Sequence, residues 1–280
     1  MKYIILSFIA SLNALVAFSI VEDTVYINRG SIEVVSQTIH RVAINSEPVF
    51  NPENTVIDIP LGETLQLVVI NNDEILHKPF IDGYTTPIDL ASGDTLVLNV
   101  LADQFGTFSL LSDVATARLL GASAMIRIGV PVPHFHWDLW EQEAEATQDI
   151  LDGSQNSIPF SYRPNTFTIN GAPFSDDMMS SSNVTGMVNQ EIYISITNSG
   201  NMIQNVHFHG YHVEIVQAVK RPEIIGWRKD SFPLLVKVSM TVKLVPLQAG
   251  EFPVHNHNLV TNLTNNGYPG GMMTMLMIME

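Results

Sequence analysis

The 280-residue chain reads as an all-β protein made of two β-sandwich domains. Short runs rich in Val, Ile, Leu and Thr recur along it with Gly, Pro, Asn or Asp between them, the pattern of sandwiches. The two halves of the chain echo each other, which at domain scale implies duplication of one sandwich. Two His-x-His pairs, His207/His209 and His255/His257, lie in strand-like segments, where residues i and i+2 share a face.

In chain order, Met1 and Lys2 are followed by no charged residue until Glu22. One cation, an apolar run from Tyr3 to Val16 and small residues at Ala17 and Ser19 predict a secretory signal cleaved after Ser19 (1–19). The competing reading is an uncleaved anchor, which Ser7, Ser11 and Asn13 disfavour. Strands are predicted at Thr64–Ile70, Thr95–Leu101, Ser123–Ile128, Glu191–Thr197, Val206–Val216, Val238–Val245 and Met273–Met279. One helix is predicted at Glu141–Leu151, closed by Gly153. In the repeat, FGTFSL (Phe105–Leu110) matches AGEFPV (Ala249–Val254), and LLGASAMIRI matches YPGGMMTMLMI. VVINNDEILHKPFIDG matches ISITNSGNMIQNVHFHGYH, setting His77 against His207. The domains are accordingly placed at 22–130 and 161–280, joined by a helix-containing linker, 131–160.

Composition narrows the function. A 46% apolar fraction supports real cores, and a net charge of -15 disfavours nucleic acid and anionic membranes as partners. Nothing after the leader resembles a membrane span. The chain has no cysteine, so packing rather than disulfides must stabilise it in an oxidising compartment. Asn183-Val-Thr and Asn262-Leu-Thr match the glycosylation sequon, a short motif of little weight.

Two adjacent strands carrying the His-x-His pairs would aim four imidazoles at one point, and neutral imidazole suits copper, zinc or nickel. Copper is the first expectation, since nitrogen ligands bind it most tightly among first-row divalent ions. With no thiolate, a blue-copper site is excluded. His212 is out of register with His209 and is expected in a packing or supporting role, with Asp230 and Asn256 as candidate acceptors for ligand imidazoles. His134 and His136 form a third pair, in PHFHWDLWE, expected to dock between domains. His40 reads as an ordinary histidine. Met273, Met275, Met277 and Met279 invite a Cu(I) reading, yet their alternation is expected to place them in the core. Asp176/Asp177 sits in a turn context without catalytic signature.

FTINGAPF (Phe167–Phe174), VHFHGYHVEI (Val206–Ile215), WRKDSFP (Trp227–Pro233) and GEFPVHNHNLVTNLTNNGYPGGM (Gly250–Met272) resemble the two-domain cupredoxin proteins of the multicopper oxidase superfamily. NNDEILHKPFIDG and GASAMIRIG resemble them more weakly. Such a resemblance implies Greek-key sandwiches and four His-x-His pairs, two per domain, around a trinuclear copper cluster, with a cysteine leading to a blue copper. Here His207, His209, His255 and His257 keep the second-domain cluster positions, with His77 and His212 as further candidates. Asn256 stands at the cysteine position, Gln204 at a blue-copper histidine, and Thr261 near the other; Met272 follows Gly271 where an axial Met would fall. In the first domain Pro79, Leu111 and Asp113 replace ligands. The resemblance therefore implies an exported copper protein with a histidine-only site, acting as an oxidoreductase on a small molecule or metal ion. A copper-binding or buffering module without turnover, and a structural protein that has lost the chemistry, are the alternatives. Two-domain members of the family often form homotrimers.

Overall fold

The computed structural model describes residues 19–34, 37–151, 161–175, 179–264 and 266–280. The predicted signal segment, Gly153 and Asp176/Asp177 lie outside them, apart from Ser19. Among the described residues no helix is long and apolar enough to cross a membrane.

The first half contributes β1 (Ile20–Val34), β2 (Gln37–Asn45), β3 (Val56–Ile59), β4 (Thr64–Asn71), β5 (Pro79–Ile81), β6 (Thr95–Leu101), β7 (Gly106–Ser112), helix α1 (Ala115–Leu119) and β8 (Ser123–Ile128). The second contributes β9 (His134–Gln142), α2 (Ala144–Leu151), β10 (Thr166–Ile169), β11 (Val184–Met187), β12 (Ile192–Asn198), β13 (Gln204–Phe208), β14 (Val213–Ala218), β15 (Arg228–Lys229), β16 (Ser231–Leu234), β17 (Ser239–Leu244), β18 (Gly250–Asn256) and β19 (Met273–Met279).

These strands form four sheets, two per sandwich: β2-β1-β4-β6 facing β3-β8-β7-β5, and β10-β9-β12-β17-β14-β15 facing β11-β19-β18-β13-β16. Each sandwich closes on its own apolar core, one around Val25, Leu67, Leu110 and Ile126, the other around Trp137, Ile194, Phe208 and Leu276. The duplication is visible strand by strand. β1 runs parallel to β4 as β9 does to β12, and β3 parallel to β8 as β11 does to β19. β7 pairs antiparallel with β8 and β5, as β18 does with β19 and β13.

Two sequence expectations change. The predicted helix starts three residues late, because Glu141 and Gln142 pair with Phe167 and Thr166 and end β9 as a fully buried ladder. The helix begins only at Ala144, where that pairing stops. The predicted strand Val206–Val216 is also two strands, β13 and β14, which lie in different sheets. The break is at Gly210, whose φ of +75° is left-handed and whose missing Cβ would lie 2.7 Å from the Phe252 ring.

The sandwiches meet through polar contacts. The Thr107 hydroxyl lies 2.7 Å from those of Ser195 and Thr241, and the Thr107 amide donates to Gln217 at 3.1 Å. Arg41, fully buried, stacks its guanidinium 4.4 Å from the Trp140 ring and reaches Asp138.

Candidate metal centre

Core packing turns the histidines outward. On β13 Val206 and Phe208 are buried in the second core, so the alternation of a strand puts His207 on the outer face. On β18 Val254 and Asn256 point inward and His255 outward. The antiparallel register sets His207 directly opposite His255. His209 continues past the end of β13, its amide donating to the Pro253 carbonyl at 3.1 Å, and the His257 amide donates to the Asn205 carbonyl at 2.7 Å.

Ligand nitrogens of His207, His209 and His255 lie within 4.8 Å of one another. The Nε2 atoms of His209 and His255 approach to 2.9 Å. The His257 ring centroid is 5.3 Å from that of His207, at the rim of this group. The far nitrogens are held by the protein. His255 Nδ1 faces the Asn256 carbonyl at 2.9 Å, and His207 Nδ1 the Ser231 hydroxyl at 2.7 Å. The carbonyl only accepts and the Asn262 side-chain amide, 3.2 Å from the same Nδ1, only donates; the tautomer that bonds the nearer carbonyl leaves Nε2 as a free lone pair. Asn262 donates to the same carbonyl at 2.7 Å and fixes its place. Burial, then the neighbouring His255, His207 and His257, hold the His209 imidazole below its ordinary pKa, which favours the neutral form that can ligate.

These donors fit a metal such as copper. Two imidazoles bound to one ion at about 2.0 Å leave their nitrogens roughly 2.8–3.3 Å apart, and 2.9 Å falls in that interval. Without an ion the same distance accommodates one N–H···N bond, which a metal would replace.

Of the two acceptors expected, Asn256 serves through its main-chain carbonyl and Asp230 does not. Ser231 and the main chain of Asn256 do this work; Asp230 offers only its carbonyl, to the Phe208 amide. Ser231 was findable only from the register of β16, which pairs it with His207. His212 is exposed and lines a surface depression with Tyr211, Arg228 and Leu247, away from the cluster. His134 and His136 reach across to the first sandwich as expected, at Asp58 (3.8 Å) and Glu53 (3.0 Å).

His77 is also displaced from its expected role. Leu111 on β7 stands where His255 stands on β18, and its partner across the ladder is Phe80, not His77. His77 is bridged to Leu90 as Gln204 is paired with Leu234. Asn71 and Asn198 bind the matching backbone carbonyls, Ile75 and Leu90 in one domain, Met202 and Leu234 in the other. The repeat alignment was thus three residues out, and the counterparts of the four ligands are Phe80, Asp82, Leu111 and Asp113. Asp82 and Asp113 are paired with Lys220 and Lys237 of the second domain. His77 itself is buried between Asp73 (2.9 Å) and Ser112 (3.1 Å), a Ser-His-Asp array with both ring nitrogens used and no exposure.

Next to the histidines, Gln204, Asn256, Thr261 and Met272 close on each other. The Asn256 amide donates to the Gln204 carbonyl oxygen and contacts Met272 Sδ at 3.8 Å, while the Met272 amide donates to the Thr261 carbonyl. Gln204 donates in turn to Glu141 at 2.7 Å, which also accepts from the Asn201 and Met202 amides. Burial pushes the Glu141 carboxyl up to about 8 against these donors.

Comparison with known proteins places the family match and the fold. Residues 144–275 match the family model for multicopper oxidase. The second half of the chain is a multicopper oxidase domain. The fold is similar to that of a blue copper oxidase from Nitrosomonas europaea, with a TM-score of 0.77 at 16% identity over 93% of this chain and 86% of that one. It is similar too to a copper nitrite reductase from the same organism, with a TM-score of 0.71 at 14% identity over 94% and 95% of the two chains. Both sandwiches are therefore cupredoxin-like. No curated protein sequence shows significant similarity to the chain.

Proposed function

We propose that this chain is an exported copper-binding protein whose metal is held by His207, His209, His255 and His257 alone. The convergence of His209 and His255 Nε2 at 2.9 Å, each presented by a separate strand end, carries the reading. Copper is preferred to zinc or nickel because nitrogen donors bind it most tightly, and because the multicopper oxidase domain implies it. Bound there, copper supplies one-electron oxidation and reduction. Ser231 and the Asn256 carbonyl orient His207 and His255, and the outer position of the cluster admits a small molecule or metal ion from solvent. The positions of a blue copper are filled by the closed contacts of Gln204, Asn256, Thr261 and Met272, so electrons would have to come from the substrate directly. The same closed contacts support a second reading, copper binding or buffering without turnover. Export rests on the Met1–Ser19 pattern, and a homotrimer is the assembly proposed from the resemblance.

Metal analysis and EPR of copper-loaded protein, with an oxidase assay on phenols, metal ions and nitrite, test the reading. Bound copper without an intense blue band is expected, because no thiolate is present to give sulfur-to-copper charge transfer. Turnover favours the oxidoreductase, and its absence the buffering module. Copper affinity unchanged in a His207→Ala/His255→Ala variant would overturn the site.

A further inference from the structure

Of the four alternating methionines of β19 only Met273 is buried; the other three do not face the core. Met273, Thr274, Leu276 and Ile278 are buried, while Met275 and Met277 are partly exposed and Met279 is 59% exposed. Their alternation is therefore real, but only Met273 has the buried place expected of the row. The same outer face carries the histidines, since β19 pairs with β18 and sets Met273 against His255, Met275 against Pro253 and Met277 against Glu251. On the other side β11, the edge strand, sets Met187, half exposed, directly beside Met279, and Thr185 beside Met277.

We propose that Met187, Met277 and Met279 form a thioether site for Cu(I) at this sheet edge, and that Met275 and Met273 extend it as a row of soft ligands ending at His255. Strands about 4.8 Å apart and same-face residues about 6.6 Å apart bring three sulfurs within reach of one ion, given methionine's three rotatable side-chain bonds. Thioether sulfur selects Cu(I) among biological cations. An unspecialised outer strand face is filled by polar or β-branched residues, and a core stripe would be buried. Met187, Met275, Met277 and Met279 are neither. Glu251 beside Met277 adds an anion to a thioether set that carries no charge. The row's link to the histidines rests on the copper site proposed above; the thioether site does not.

The test uses the full chain under anaerobic conditions, titrated with Cu(I) against a chromogenic Cu(I) chelator, with Ag(I) as a redox-inert probe and X-ray absorption to identify the donor atoms. Met187→Leu/Met277→Leu/Met279→Leu keeps volume and apolarity but removes sulfur. It is expected to lower Cu(I) affinity by at least the roughly tenfold that loss of a supporting group alone costs a metal site. Cu(II) binding should stay unchanged. The His207→Ala/His255→Ala variant should show the reverse, keeping the sulfur-bound Cu(I), so failure of one site is distinguishable from failure of the other. Undiminished Cu(I) and Ag(I) affinity in the leucine variant, or purely nitrogen and oxygen scattering in the wild type, would overturn the proposal. So would sedimentation showing that this face is buried between copies of the chain.

Discussion

Glu141 links the fold to the metal centre, and its titration makes a quantitative prediction. Its carboxyl is fully buried at the end of β9, and burial raises it to about 8 from an ordinary value of 4.5. Between those pH values the folded chain holds a proton that the unfolded chain has released. Stability is therefore complete below pH 4.5 and falls as pH rises toward 8. At about 1.36 kcal/mol per pKa unit the loss is on the order of 5 kcal/mol across the window, a large fraction of a domain's stability. The perturbation is Glu141→Gln. The neutral carboxyl and the amide both accept the Asn201 and Met202 N–H groups, but only the carboxyl can also accept from Gln204, so near pH 4.5 the variant should be less stable by about one hydrogen bond, roughly 0.5–1.5 kcal/mol. The variant should lose its share of the pH dependence and become the more stable near pH 8. Urea unfolding of both at half-unit steps from pH 4.5 to 9 measures this. Parallel stability curves would refute the argument, and would mean that the Asn201, Met202 and Gln204 donors hold the carboxylate ionised throughout.

Ser231→Ala frees His207 Nδ1 from its 2.7 Å partner. Cu(II) affinity should fall about 10–100-fold with the histidines intact, and equal affinity by competition titration would discount the serine. Gly210→Ala forces a left-handed residue to carry a Cβ 2.7 Å from Phe252. The cost should be about 1–3 kcal/mol in thermal or urea unfolding, together with weaker copper binding through displaced His209. Val206→Ala removes part of the packing that turns His207 outward, and should cost about 1–3 kcal/mol with a smaller loss of copper affinity; a copper effect without a stability loss would contradict the packing argument.

Much of this protein was legible in its sequence. The turn-punctuated apolar runs gave Thr95–Leu101, Ser123–Ile128 and Met273–Met279 with their observed bounds. The His-x-His spacing brought out one strand histidine, His207 or His255, and a companion just past the strand end in each pair, and the absence of cysteine excluded a thiolate donor. Both follow from local geometry and side-chain chemistry, which need no partner strand.

Tertiary structure decided the rest, because alternation says which residues share a face and not which face is inside. Met273, Met275, Met277 and Met279 alternate in the sequence, yet Leu276 and Ile278 join the core and only Met273 of the four methionines is buried. Glu141 belongs to a strand because β10 pairs with it, whatever its local helix preference. The pairing of His207 with His255 and the displacement of His77 are both matters of register, set by ladders between residues far apart in the chain. The residue types were written in the sequence, but which of them meet was settled by strand pairing, since one-residue shifts exchange the two faces of a sheet.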